Sequence, residues 1–265
     1  MKERKDSFFS WRWLLTTLLA IAAVGVLIRL GIWQLDRLAQ RRAFNARVEA
    51  QLTAPELNLN QALPLDGLYD MEYRTVEVTG RYDFSQEVLL RNQAWQNQPG
   101  FHVLTPLKIE GRSESVLVDR GWIPYDQAQQ LQAFQETGLV TVTGMLRRPQ
   151  SKPDFGGVPD ATLAPGQTRL DAWNIVNLER IQQQVDMPLL AVYLQQAPDP
   201  AWTNLPYRSL PELELTEGPH QGYALQWFTF AAILALGYPY FVWRQLHGPV
   251  TNSQPPTAVL AGKER

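Results

Sequence analysis

Histidine is scarce in this chain, with three copies, and one of them sits in suggestive company. His220, Tyr223, Ala224 and Trp227 fall on one face of any helix that begins near Pro219. That face carries an imidazole, two large flat rings and a small residue that permits close approach. Two readings fit the pattern. One is an aromatic belt with a histidine at a water–lipid boundary, needing no ligand. The other is a haem-facing wall with His220 as axial ligand of the iron, since imidazole ligates iron and flat rings stack on a flat macrocycle.

Little else in the chain could do chemistry. Cysteine is absent, which removes disulfides, thiolate metal sites, covalent haem attachment and cysteine nucleophiles together. With only His102, His220 and His247 available, a centre built from several histidines is not expected. No nucleophile elbow and no phosphate-cradling glycine loop occurs. His102 lies in a strand-like stretch and reads as a buried, hydrogen-bonded histidine rather than a base. Asp119 and Arg120 are adjacent on a strand, point to opposite faces and so do not form a pair. Asp83, Glu87 and Asp154 read as solvated turn charges. The chain is therefore expected not to be an enzyme. A net charge of −2 argues against a nucleic-acid partner.

Two apolar segments must position His220. From Gly222 to Trp243 no charged residue occurs. About twenty such residues, rising 1.5 Å each, cross a hydrocarbon core of roughly 30 Å, and lipid forces them into a helix. Pro239 is tolerated near the far end of this segment. The stretch from Trp13 to Trp33 has the same length and continues into Leu30–Leu35 without a small-residue cleavage site, so it reads as a retained anchor rather than a signal peptide. Trp33 marks its exit. Arg244 follows the second span, joined later by Lys263 and Arg265, which places the C-terminus in the cytoplasm. Two spans then bring the N-terminus to the same side. The expected organisation is a cytoplasmic N-terminus at 1–12, spans at 13–33 and 222–243, an extracytoplasmic body at 34–221 and a cytoplasmic tail at 244–265.

The body reads as β-rich. Residues Tyr73–Tyr82 alternate cleanly, and Glu87–Arg91, Phe101–Ile109, Ser115–Arg120, Val140–Arg147 and Leu189–Leu194 follow as strands, the third ended or bulged at Pro106. No helix of crossover length separates most of them, which predicts an antiparallel sheet curved into a small barrel. Weaker helical signals cover Asp126–Glu136 and Asn177–Val185, the latter capped by Asn177. Residues 34–51 continue the first helix. Stretches 54–70, 151–166 and 198–219 read as loops, that at 151–166 as mobile. The fold class is a membrane protein: two transmembrane helices flanking an antiparallel, barrel-like extracytoplasmic domain.

One compact signature remains. At Arg120-Gly121-Trp122-Ile123-Pro124 a strand ends, Gly121 gives the turn its freedom and Pro124 stops pairing. Trp122 then either plugs a barrel mouth or contacts a membrane, a haem edge or a partner. Five stretches in this order resemble the surfeit locus protein 1 family: Leu30–Leu38, Tyr73–Gly80, Gly100–Leu107, Val118–Pro124 and His220–Phe228. The match runs from about Leu30 to Arg244. Gly218-Pro219 stands where that family usually carries an asparagine-bearing stretch.

The resemblance implies an assembly factor for haem-copper cytochrome c oxidase, helping deliver or insert haem a into the catalytic subunit. It places His220 as axial haem ligand, with Tyr223 and Trp227 against the macrocycle and haem a held transiently. It maps the family's Arg-Gly-Trp signature onto Arg120, Gly121 and Trp122, expected with Trp33 at a partner interface. The expected partners are the membrane, the oxidase catalytic subunit and haem a synthase, and the expected location is the plasma membrane. The rival expectation is a membrane-tethered scaffold that grips an oxidase subunit and binds no haem.

Overall fold

The computed structural model describes residues 11–61 and 65–247. The basic stretch Lys2–Lys5 and the tail from Gly248, with Lys263 and Arg265, lie outside the described residues. Two long helices bracket the β body in the sequence. Helix α1 runs Trp11–Leu52 and α3 runs His220–His247. Both are long and apolar enough to cross a membrane, and Leu14, Leu18, Ile21, Leu225, Ile233 and Leu236 are exposed along them. Helices in the core of a soluble protein hide such side chains; these two mark the chain as a membrane protein. As expected, α1 continues past the apolar run. Pro239 stays inside α3 without ending it.

The chain divides into two compact units, one of residues 1–43 and 216–265, the other of residues 44–215. In the first, α1 and α3 pack antiparallel. Trp13 meets Phe241 at 6.4 Å between ring centroids, the Tyr238 hydroxyl bonds Thr16 and Thr17 at 3.0 and 2.8 Å, and Gln34 meets His220. Small side chains set the spacing: Ala224 and Ala231 are buried, and a Cβ at Gly31 would lie 2.6 Å from the Phe228 ring.

The second unit is built on eight strands: β1 Leu57–Asn58, β2 Thr75–Tyr82, β3 Val88–Trp95, β4 Gln98–Ile109, β5 Ser115–Pro124, β6 Val140–Arg147, β7 Ala172–Trp173 and β8 Leu189–Gln196. They lie in the order β1-β2-β6-β8-β5-β4-β3-β7, and β2 also pairs with β4 through Gly80↔Ile109 to Tyr82↔Leu107. The strands β2, β6, β8, β5 and β4 therefore close into a barrel, which removes their free edges. Alternation fills it: Val76, Val78, Val116, Val118, Val192 and Leu194 form one interior cluster. A second cluster covers the outside of β3, β4 and β5, where Trp173, Val176 and Ile181 pack on Leu90, Leu104 and Leu117. Helix α2, Leu178–Gln182, carries part of that cover, and the Asn177 side chain accepts from the Arg180 N–H as the expected cap. Because β5 is covered on both faces, its Val116-Leu117-Val118 run is continuous rather than alternating.

Four features depart from expectation. The sheet is mainly antiparallel, but β8 runs parallel to β5, and the two-residue strands β1 and β7 also pair in parallel. Residues 148–188 carry the chain around the outside before β8 slots between β6 and β5, and that long excursion makes the parallel pairing possible. Strand β4 passes through Pro106, which holds register with Leu117. The segment 126–136 forms only two 3-10 turns, Tyr125–Gln127 and Leu131–Phe134. Its three apolar anchors Ala128, Leu131 and Phe134 are drawn onto Leu89, Val103 and Ile123, too little to offset the cost of nucleating a helix. Residues 151–166 hold no regular structure, yet they are tied down past their middle: the Asp160 carboxylate accepts from the Asn174 and Ile175 N–H groups, and Arg180 donates to Ala161 O.

Candidate functional site

His220 lies on the first turn of α3. Pro219 O accepts the Tyr223 N–H at 3.1 Å and opens the helix, with proline's fixed φ suited to that position. Gly218 before it has φ +68°, and a Cβ there would come 3.7 Å from His220 Nε2. Glycine thus accepts the left-handed turn without strain. Two further ties hold this entrance to α1. Arg42 grips Glu217 through two bonds of 2.7 and 2.8 Å, and Arg41 donates to Thr216 O at 3.0 Å.

The imidazole itself is oriented by α1. Its Nδ1 lies 2.9 Å from Gln34 Oε1. An amide oxygen only accepts, so Nδ1 donates, and the neutral ring then carries its lone pair on Nε2. No hydrogen-bond partner for Nε2 occurs among the described residues. Of the other residues expected on this face, Ala224 is buried at the helix seam, Trp227 is half-buried with its ring edge-on to Phe230 at 6.3 Å, and Tyr223 is exposed. His220 and Trp227 therefore sit along the rim of the seam, with Tyr223 turned outward from it. Trp33 is exposed on α1. Among the described residues no three acidic, histidine or cysteine side chains gather as a metal site. A single imidazole is the donor set here, and it suits an iron that already brings its own macrocycle.

The body holds the Arg120-Gly121-Trp122 signature in its interior. Register passes from Leu104↔Asp119 to His102↔Trp122, so Arg120 and Gly121 together oppose Val103 in a β-bulge. Gly121 takes φ +119°, and a side chain there would collide with the Tyr207 carbonyl. Arg120 is fully buried. It pairs with Glu87 at 3.2 Å and Glu136 at 3.2 Å, donates to Phe134 O, and lies over the Tyr82 and Phe84 rings at 5.0 and 5.2 Å. Trp122 is 2% exposed and stacks on Tyr207 with an interplanar angle of 6°.

Glu87 is thus no solvated turn charge but a buried ion-pair partner. It closes the 3-10 turn Phe84–Gln86 just before β3 and is buried there, and Thr105 also donates to it at 2.5 Å. Burial pushes its carboxyl above the ordinary value, and the Thr105 bond and Arg120 offset part of that rise. On the opposite face of β5, Asp119 takes the His102 Nδ1 at 2.8 Å, so the two adjacent charges have separate partners. Burial opposes the charge on His102, but the charge and hydrogen bond of Asp119 together outweigh it and raise its pKa.

The pairings of Gln34 with His220 and of Glu136 with Arg120 and, at 2.9 Å, with Arg208 carry no signal in the sequence. Gln34 stands where the first apolar run gives way to polar residues, an ordinary place for a glutamine, and its partner lies 186 positions away.

Comparison with known proteins gives one consistent result. Residues 21–232 match the SURF1 family. A SURF1-like protein of Mycobacterium bovis is 26% identical over 237 residues, covering 88% of this chain and 84% of that one. A SURF1-like protein of Rickettsia felis is 26% identical over 233 residues, covering 84% and 95%. Another, from Monosiga brevicollis, reaches 34% over 143 residues, covering 49% and 53%.

Proposed function

The chain belongs to the SURF1 family, and from that membership and the His220 site we propose that it is a non-catalytic assembly factor for haem-copper cytochrome c oxidase. Its task is to hold haem a transiently and pass it to the oxidase catalytic subunit. Haem a synthase would stand upstream as the source. The observation that carries this reading is the state of His220: Nδ1 is engaged by Gln34, and Nε2, with no hydrogen-bond partner among the described residues, is the atom left to ligate. Trp227 and the outward Tyr223 flank it and would lie against the macrocycle. Haem supplies the iron and the flat surface; the chain supplies one nitrogen and apolar walls. A lone imidazole binds and releases, whereas a second strong ligand would resist transfer.

The antiparallel helix pair supports the expected topology, because it brings Trp11 and His247 to the same end. Arg12 and Arg244 lie at that end, which suits the cytoplasmic side of the plasma membrane. The body then faces the other compartment, and His220 lies on the outer side of the bilayer.

The test is direct. Wild type and His220→Ala are purified from a host that makes haem a, and their visible spectra are compared. The wild type should carry haem and the variant little. Equal haem in both removes His220 from the mechanism. A colourless wild type that still captures an oxidase subunit supports the scaffold reading instead.

A further inference from the structure

We infer that Gln34 is the positioning residue for His220. This rests on the reading of His220 as an iron ligand. Gln34 is 9% exposed and lies at the exit of the apolar run of α1, between Trp33 and Leu35 and just before Asp36 and Arg37. A buried amide in such a place costs free energy unless it is bonded. Its Oε1 bonds the His220 imidazole, and it comes from the other helix, so it can hold the ring only while α1 and α3 are paired. Metal-ligating histidines ordinarily donate their second ring N–H to an oxygen, which fixes the tautomer and the ring plane and raises ligand basicity.

The neutral amide matters as much as the bond. A carboxylate in this place would pull harder on the Nδ1 proton, push the ring toward imidazolate character and tighten its hold on ferric iron. An amide oxygen orients the ring with less electron push. That is the setting wanted from a carrier that must let go.

The experiment uses the full chain in detergent with ¹⁵N-labelled histidine, and ferric haem b as the probe. In the haem-free wild type the His220 signal, assigned by its loss in His220→Ala, should report one tautomer, protonated on Nδ1. Gln34→Leu should convert it to a mixture. Gln34→Leu should also weaken ferric haem about 10- to 100-fold, as loss of a partner behind a metal-ligating histidine does. Gln34→Glu should keep the single tautomer, bind ferric haem more tightly and lower the iron midpoint potential. Thr17→Cys with Tyr238→Cys, bridged by a short bis-maleimide, shows that the helix pair survives in each variant. If Gln34→Leu retains one tautomer and wild-type haem affinity while His220→Ala loses haem, the positioning inference is overturned and the ligand reading stands. If His220→Ala binds haem as the wild type does, the ligand reading fails and this inference falls with it.

Discussion

Arg120 is the position at which the energetics of the body are most exposed to test. Its side chain is wholly buried between Glu87, Glu136 and the Phe134 carbonyl, with Tyr82 and Phe84 against its guanidinium. Replacing one member of a buried ion pair costs about 3–5 kcal/mol, because the other charge is left without compensation. Arg120→Leu should fall at the low end, about 3 kcal/mol, for two local reasons. Thr105 still donates to Glu87, and Arg208 still holds Glu136 at 2.9 Å.

The loss should also depend on pH, and the direction follows from Glu87. Its carboxyl already sits above the ordinary 4.5, raised by burial and held partly down by Thr105 and Arg120. Removing Arg120 raises it further. A group whose folded pKa is raised stabilises the fold at pH below the unfolded value and loses that contribution as pH climbs through the folded value. The variant should therefore be closer to wild type at pH 5 than at pH 8. Urea unfolding of the full chain in detergent, followed through the buried Trp122 and Trp173, measures both. Arg120→Leu combined with Glu87→Gln should recover most of the loss. Equal losses at the two pH values, or a double variant no better than the single, would refute this account of Arg120.

Three further outcomes are expected of the same fold. His102 has a raised pKa through Asp119, so its stabilisation is complete below about pH 6.5 and fades as pH rises through the folded value; Asp119→Asn should flatten that part of the stability–pH curve, and an unchanged slope counts against the pair. Gly121→Ala meets φ +119° and the Tyr207 carbonyl together, so its cost should exceed roughly 1–3 kcal/mol for backbone strain alone, read as a lowered thermal midpoint; an unmoved midpoint refutes it. The chain has no native cysteine, so Thr17→Cys with Tyr238→Cys should be bridged within one molecule by a short bis-maleimide, while Ile21→Cys with the exposed Leu225→Cys should not; the reverse pattern would overturn the antiparallel helix pair.

What could be read from the sequence is what local periodicity encodes. The alternation of Val76 and Val78 between Thr75, Glu77 and Thr79 announced β2, and Val140–Arg147 matched β6 residue for residue. The apolar runs were unmistakable as spans because their length is set by the bilayer. What could not be read is pairing between distant segments. Nothing near Ser115 says that residue Leu189 will lie beside it in parallel, and nothing near His220 names Gln34. Glu87 was misjudged because a carboxylate next to turn residues is ordinarily solvated; only closure of the barrel brings Arg120 to it. The glutamine-rich stretch 126–136 has helical propensity, but its few apolar anchors and the capture of Phe134 O and Glu136 by Arg120 hold it open.

The bulge at Arg120-Gly121 explains how three consecutive residues can serve three directions at once. Arg120 enters the barrel interior, Gly121 lets the Tyr207 backbone close over it, and Trp122 stacks beneath the Tyr207 ring. Trp122 and Tyr207 also exchange both backbone bonds at 2.8 Å, and Arg208 reaches Glu136 at 2.9 Å, which in turn holds Arg120. Every one of these contacts ties the segment before α3 to the barrel wall. The signature is therefore a clasp on that segment. What it holds in place is the surface of residues 202–207, where Trp202, Leu205 and Tyr207 border an open groove with Phe134. A variant that loosens the clasp, such as Gly121→Ala, should raise the protease sensitivity of residues 198–209. Asn204→Ala, on the groove surface alone, should leave that sensitivity unchanged. If Gly121→Ala leaves the segment as protected as in the wild type, the clasp is refuted.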